Sequence, residues 1–335
     1  MRSKSKRAQR RGKRSAGPTR DAWKTLVSHQ EHELAGIDVA LVNLSCSVGL
    51  PGSEELHIPT ALEEVDRLAA RVKRETARNR HCFIRERRTH GDSRAKWTAG
   101  MLVTVLQQDC GVRYNPKRIH DPDFRDARDL FIHGMLGFER PGGTCASMPF
   151  LYVAVGRRLG YPMFVATAQG HLYVRWDDPE GTRWRERDSS WRHGDCFNLE
   201  GAANGFHIPD DTFYHNWPHK MSETQIASKK FLSSMSRREE LACLLASRGH
   251  CLEDNGQLAE AVEVYQAATD IEFAYSFFLA NARIAASSPV IQARLQATAE
   301  RKRSRQTSQA DVPTLSLDFK EQPHVRTPTR PFRQP

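Results

Sequence analysis

The chain has no CxxC pair among its seven cysteines, Cys46, Cys82, Cys110, Cys145, Cys196, Cys243 and Cys251. That excludes a zinc ribbon and a thioredoxin-type redox couple. It has no apolar run near the ~18 residues that a membrane span requires. Residues 1–20 contain no acid, and no apolar stretch follows their charges, so they do not read as a secretory leader. An odd cysteine count in a chain of 335 residues fits a reduced, cytoplasmic protein better than a disulfide-stapled one. Most of these cysteines are expected to be small buried apolar residues. No cofactor and no metal is expected.

What is present is an ordinary globular composition, 39% hydrophobic and 27% charged, long enough for one large domain or two smaller ones. The net charge of +10 is uneven. Residues 1–20 hold nine lysines and arginines, so the other 315 residues carry only about +1. The basicity is therefore mostly a tail, read as a disordered arm. Weak contact with nucleic acid or an anionic surface through this tail is the partner its charge suggests.

Helical spacing runs through LEEVDRLAARVKRETARNR, with Leu62, Val65, Leu68, Ala69 and Val72 on one stripe and Pro59-Thr60 as the start signal. AKWTAGMLVTVLQQDCG predicts a second helix ending near Gly111. A third is predicted over 145–160, closed by Gly160 and Pro162. MFVAT and HLYVRW then read as strands, the latter placing His171, Tyr173 and Arg175 on one face. TRWRERD predicts a return strand, and CFNLEGA another short one. Helix followed by strands predicts α+β with an antiparallel sheet. The expected organisation is a tail over 1–20, an α+β domain over 21–220 with its core at 110–205, a helical region over 221–298, and a disordered tail over 299–335.

The chemistry concentrates in GGTCASMPFLYVAVGRRLGYPMFVATAQGHLYVRW, where Cys145 and His171 stand 26 residues apart. A cysteine nucleophile acts as its thiolate. An ordinary thiol with a pKa of about 8.5 is only a few per cent ionised at neutral pH. A helix N-terminus and an imidazolium both favour the anion. Gly142, Gly143 and Thr144 allow a tight turn whose amides would face an oxyanion, and Gln169 is a further candidate for that role. A third group must orient the imidazole. Asp188 and Glu200 compete for it, and Asn198 is an amide alternative. Asp129 and His133 are candidates to line a cleft. Trp176, Trp184 and Trp191 read as sheet packing or, if exposed, as a groove for an extended peptide.

The run GTCASMPFLYVAVGRRLGYPMFVATAQGHLYVRW resembles the core of the transglutaminase-like superfamily, within the papain-like thiol enzymes. That core has a cysteine opening a helix, a GxP turn, a GH step opening a strand, and then an acid-bearing strand. Here these correspond to Cys145, Gly160 to Pro162, Gly170-His171, and an acid in FNLEGA or WRERD. FNLEGAANGF, YHNWP and EELACLLASRGHCLEDNGQLAEAVEVYQAA resemble a bacterial type that joins such a core to tetratricopeptide-like helices. Gly249, Leu252, Gly256, Ala261, Tyr265 and Ala268 fall at the repeat's small and aromatic positions. Only one copy is visible, so the helices are expected to pack on the core as an appendage. The resemblance covers about residues 40–280. It implies a papain-like core, with the nucleophile helix packed on an antiparallel sheet, and favours Glu200 as the third residue.

The resulting expectation is cysteine-dependent acyl transfer on amide or peptide bonds through a thioester, with a protein or peptide substrate. Hydrolysis is preferred over crosslinking because water is always at hand. The alternative is an inactive scaffold that binds a protein partner through its helical C-terminal region.

Overall fold

The structure, a computed structural model, describes residues 21–119, 123–137, 141–181, 194–228 and 230–271. It is mixed α and β, with many helices around one small antiparallel sheet. The helices that matter here are α1 (Val39–Ser47), α2 (Ile58–Arg78), α3 (Arg80–Glu86), α4 (Arg94–Thr104), α5 (Met148–Arg158), α6 (Asp211–Asn216), α7 (Arg237–Asp254) and α8 (Leu258–Ile271). Both tails, 1–20 and 299–335, lie outside the described residues, as do the return strand at TRWRERD and Trp184, Asp188 and Trp191.

Local chemistry explains where the elements begin and end. Pro59 sits in the first turn of α2, where a missing N–H costs nothing, and the His57 ring accepts from the Thr60 N–H. Val65, Leu68, Ala69 and Val72 are buried along one side, as the spacing predicts. Ser93 caps α4, which continues through a π-helical turn at Val105–Asp109 and stops before Gly111, whose φ is 71°. Ser236 and Glu239 close a capping box on α7. Gly256, at φ 73°, turns the chain into α8.

The helix predicted over 145–160 is shorter than expected. Residues 145–147 form a turn, and α5 begins at Met148. The Thr144 carbonyl accepts from both the Ser147 and Met148 N–H groups, at 3.1 and 2.9 Å, which tightens this entry. The sheet order is β1 (Met163–Ala168), β2 (His171–Asp178), β3 (Asp195–Leu199), all antiparallel. Ala168 pairs with His171, and Val174 with Leu199. One face of β2, made of Leu172, Val174 and Trp176, joins the main core with α5. On the other face Tyr173 packs with Tyr214 of α6, flanked by Phe213 and Trp217.

A single apolar cluster runs from Trp23 to Ile271. The α7–α8 hairpin belongs to that cluster. Buried Arg248 of α7 donates to the carbonyls of Cys46 and Val48, each at 2.8 Å, at the end of α1. Arg157 of α5 forms a two-pronged ion pair with buried Glu240 of α7. The Gly249 Cα faces the Tyr265 ring so closely that an added Cβ would lie 2.3 Å from it. These contacts make the hairpin an appendage packed on the core. All seven cysteines are free, and three, Cys46, Cys243 and Cys251, are buried rather than most of them. Among the described residues no helix is long and apolar enough to cross a membrane.

Candidate functional site

The turn that presents Cys145 is built by close backbone approach. Gly142 has φ 114°, and a Cβ there would sit 2.8 Å from the Asn115 nitrogen. Gly143 pairs with the segment around Tyr114: its N–H donates to the Arg113 carbonyl at 3.0 Å, and its carbonyl accepts from Asn115 at 2.8 Å. Behind the turn, the Asp129 carbonyl accepts from the hydroxyls of Thr144 (2.7 Å) and Ser147 (3.1 Å). The Asp129 carboxylate takes hydrogen bonds from Asn115 (2.8 Å) and Arg118 (2.5 Å). Cys145 is thus held from two sides while remaining half-buried.

His171 opens β2, and Glu200 directly follows β3. Antiparallel pairing puts both at the same end of the sheet. Gly201 brings this end to α5, since a Cβ there would lie 3.5 Å from the Pro149 nitrogen. The His171 Nε2 meets Glu200 Oε2 at 2.8 Å, and both side chains are almost fully buried, at 5% and 3% exposure. Cys145 lies close enough to the imidazole for its sulfur to favour the protonated ring. With Nε2 committed to Glu200, Nδ1 is the nitrogen left for the sulfur.

Glu200 is heavily supported. The Tyr214 hydroxyl donates to its Oε2 at 2.8 Å, and the Ala202 N–H donates to Oε1 at 2.9 Å. Burial pushes this carboxyl up, but the His171 charge and these donors together hold it below the usual carboxylate range. Burial likewise works against the His171 cation. The charge of Glu200, its hydrogen bond to the ring, and the nearby Cys145 sulfur overcome it and raise the imidazole to about 10. Trp217 lies edge-on to the imidazole, ring centroids 4.5 Å apart, and Tyr214 stacks at 6.1 Å. These rings fix the imidazole plane and shield the ion pair.

The structure therefore brings Cys145, His171 and Glu200 together. The expected oxyanion donors fare differently. The Gly143 N–H is taken by Arg113, and the Thr144 N–H by the Ser147 hydroxyl at 2.9 Å. The Gln169 side chain is bonded to Gln225 of the short helix Glu223–Ala227, so it serves the β1–β2 turn. The Cys145 backbone N–H and the Tyr114 phenol lie near one another, since the amide pulls the phenol down toward its ordinary range. Burial, with Cys145 and Glu200 nearby, holds that phenol well above its ordinary range, so it stays protonated and able to donate.

Asn198 accepts from Arg175 (2.9 Å) and donates to Asp211 (2.8 Å), which places it along the sheet from the imidazole. His133 is packed, with Nε2 against the Gly52 carbonyl at 3.2 Å, and burial lowers it to about 4. Asp129 supports the turn from behind and does not line a cleft. Trp176 is sheet packing, stacked on Phe197 at 5.9 Å. Tyr114, Tyr214 and Trp217 were missed as site residues. The motif YHNWP contains two of them, but its spacing from His171 carries no signal of contact. Compared with known proteins, the chain matches no family model, no curated protein and no solved structure.

Proposed function

We propose that this protein is a cysteine acyl-transfer enzyme acting on amide or peptide bonds, with a papain-like, transglutaminase-like core. The single observation that carries the reading is the buried imidazole of His171, bonded to Glu200 and close enough to Cys145 to be influenced by its sulfur. In the proposed reaction Cys145 acts as a thiolate paired with the His171 imidazolium, and the sulfur attacks the substrate carbonyl. The carbonyl oxygen becomes an oxyanion between the Cys145 N–H and the Tyr114 O–H. As the tetrahedral intermediate collapses, His171 gives its proton to the departing amine or ammonia, leaving a thioester. Water or a second amine then loses a proton to His171 and attacks the thioester, releasing the acyl product and the thiolate. Glu200 keeps the imidazole oriented and stabilises its cationic form throughout.

The test is acyl-enzyme trapping. The full chain is mixed with an activated ester or a glutamine-containing peptide, and its intact mass is followed with time. The expected result is a transient adduct on Cys145, absent in Cys145→Ala and long-lived in His171→Asn. Acylation spread over several cysteines, unchanged by either substitution, overturns the reading and leaves the scaffold alternative in its place.

A further inference from the structure

The folded body has a strongly basic ridge hidden by the whole-chain charge. Of the net +10, nine charges lie in residues 1–20. Between Arg71 and Arg88 eight lysines and arginines face two acids, so this stretch is +6 and all other residues sum to −5. The stretch covers the last turns of α2, all of α3, and the start of the 3-10 turn after it. On the solvent side of α3 stand Arg80, His81, Ile84 and Arg85, and Arg88 follows in the 3-10 turn, all exposed. Phe83 points the other way, fully buried against Trp97 at 5.3 Å, so the ridge is anchored rather than loose.

Its charges are only partly neutralised within the fold: Arg71 also pairs with Asp109 at 3.4 Å and Arg87 with Asp92 at 3.2 Å. The one buried acid, Glu75, gathers Arg71, Arg74 and Arg78 at 3.5, 3.6 and 3.9 Å. Lys73, Arg80, Arg85 and Arg88 form no ion pair among the described residues. Like charges at helical spacing repel by a few tenths of a kcal/mol per pair, a standing cost that a bound polyanion would remove.

We propose that this ridge docks the sugar-phosphate backbone of a nucleic acid, without reading its sequence. Arginine dominates it, and the guanidinium fork matches phosphate oxygens in pairs. From Arg80 to Arg88 it runs about 12 Å at ~1.5 Å per residue, enough to follow successive phosphates along a strand. A membrane surface fits less well. Ile84, at 58% exposure, is the one large apolar side chain exposed on the ridge, whereas an interfacial helix inserts a whole apolar face.

The experiment measures anisotropy of a fluorescein-labelled 30-mer, duplex or single strand, with the full chain across a salt series. Three variants are compared: one with the nine tail cations changed to glutamine, one carrying Arg80→Ala, Arg85→Ala and Arg88→Ala, and the combination. The tail variant is expected to keep measurable binding. Adding the triple substitution should weaken it at least ~10-fold at 100 mM salt and lower the log–log salt slope by about 2.7, at ~0.9 per phosphate contact. Because the three arginines are exposed, the urea midpoint of the triple variant should match that of the parent. The proposal is overturned if the combination binds like the tail variant. It is also overturned if the tail variant binds anionic phospholipid vesicles but neither nucleic acid, or binds none of these.

Discussion

Replacing Glu200 by glutamine keeps the shape of the side chain and removes its charge. The carboxylate stands 2.8 Å from His171 Nε2, and neither group is reached by solvent. At an effective dielectric of ~20, unit charges at that distance attract by about 6 kcal/mol. At ~1.4 kcal/mol per pH unit this would move an imidazole by about four pH units. That is the size needed to bring a ring that burial alone would depress below ~6.5 up to about 10. In Glu200→Gln, His171 should therefore titrate below ~6.5. The assay is long-range 15N NMR of the histidine rings, with His171 assigned by difference against His171→Asn.

Stability should fall with it, by about 3 kcal/mol at pH 7 in urea unfolding, the lower end for a broken buried pair. The pH window follows from the directions of the two shifts. Glu200 is lowered in the folded state. Its contribution is present above the unfolded value of ~4.3 and disappears as pH falls through the folded one. His171 is raised, so its contribution is full below ~6.5 and disappears as pH rises through about 10. The gap between parent and variant should be widest between these limits. If His171 titrates at the same pH in both proteins, the buried ion pair is refuted.

Tyr214→Phe removes one donor to the buried carboxylate; it should cost about 1.5–3 kcal/mol in urea unfolding and lower the His171 midpoint less than Glu200→Gln does. Tyr114→Phe should reduce turnover by about 10²–10³ in an acyl-transfer assay while leaving the thermal midpoint within ~2 °C, since the lost hydroxyl acts on the developing oxyanion. Gly249→Ala drives a methyl into the Tyr265 ring and should destabilise the fold by about 1–3 kcal/mol, read as a shift of a single cooperative transition because the hairpin shares the main core.

What could be read from the residues depended on range along the chain. The apolar stripe of α2 and the strands at MFVAT and HLYVRW are local patterns, and all appear in the fold. The Cys145–His171 pair was legible because a glycine turn precedes Cys145 and a Gly-His step opens β2. Glu200 could be favoured over Asp188 only by resemblance, because which acid reaches Nε2 depends on strand register. The availability of the Gly143 and Thr144 amides was misjudged for the same physical reason. Whether the amides of Gly143 and Thr144 are free depends on Arg113 and Ser147, and spacing does not report partners. Tyr114, Tyr214 and Trp217 reach the site by tertiary packing from 31 residues before Cys145 to 46 residues after His171. The basic ridge was hidden by summation, since a near-neutral total conceals charges sorted onto one surface.

The claim on which the enzymatic account rests is that Cys145 and His171 share a proton. Alkylation by iodoacetamide, followed peptide by peptide between pH 5 and 9, measures this directly. Cys145 should react at pH 5.5 at least ~10-fold faster than exposed Cys196, and His171→Asn should abolish that advantage. A Cys145 profile that coincides with that of Cys196 and is indifferent to His171→Asn would contradict the account.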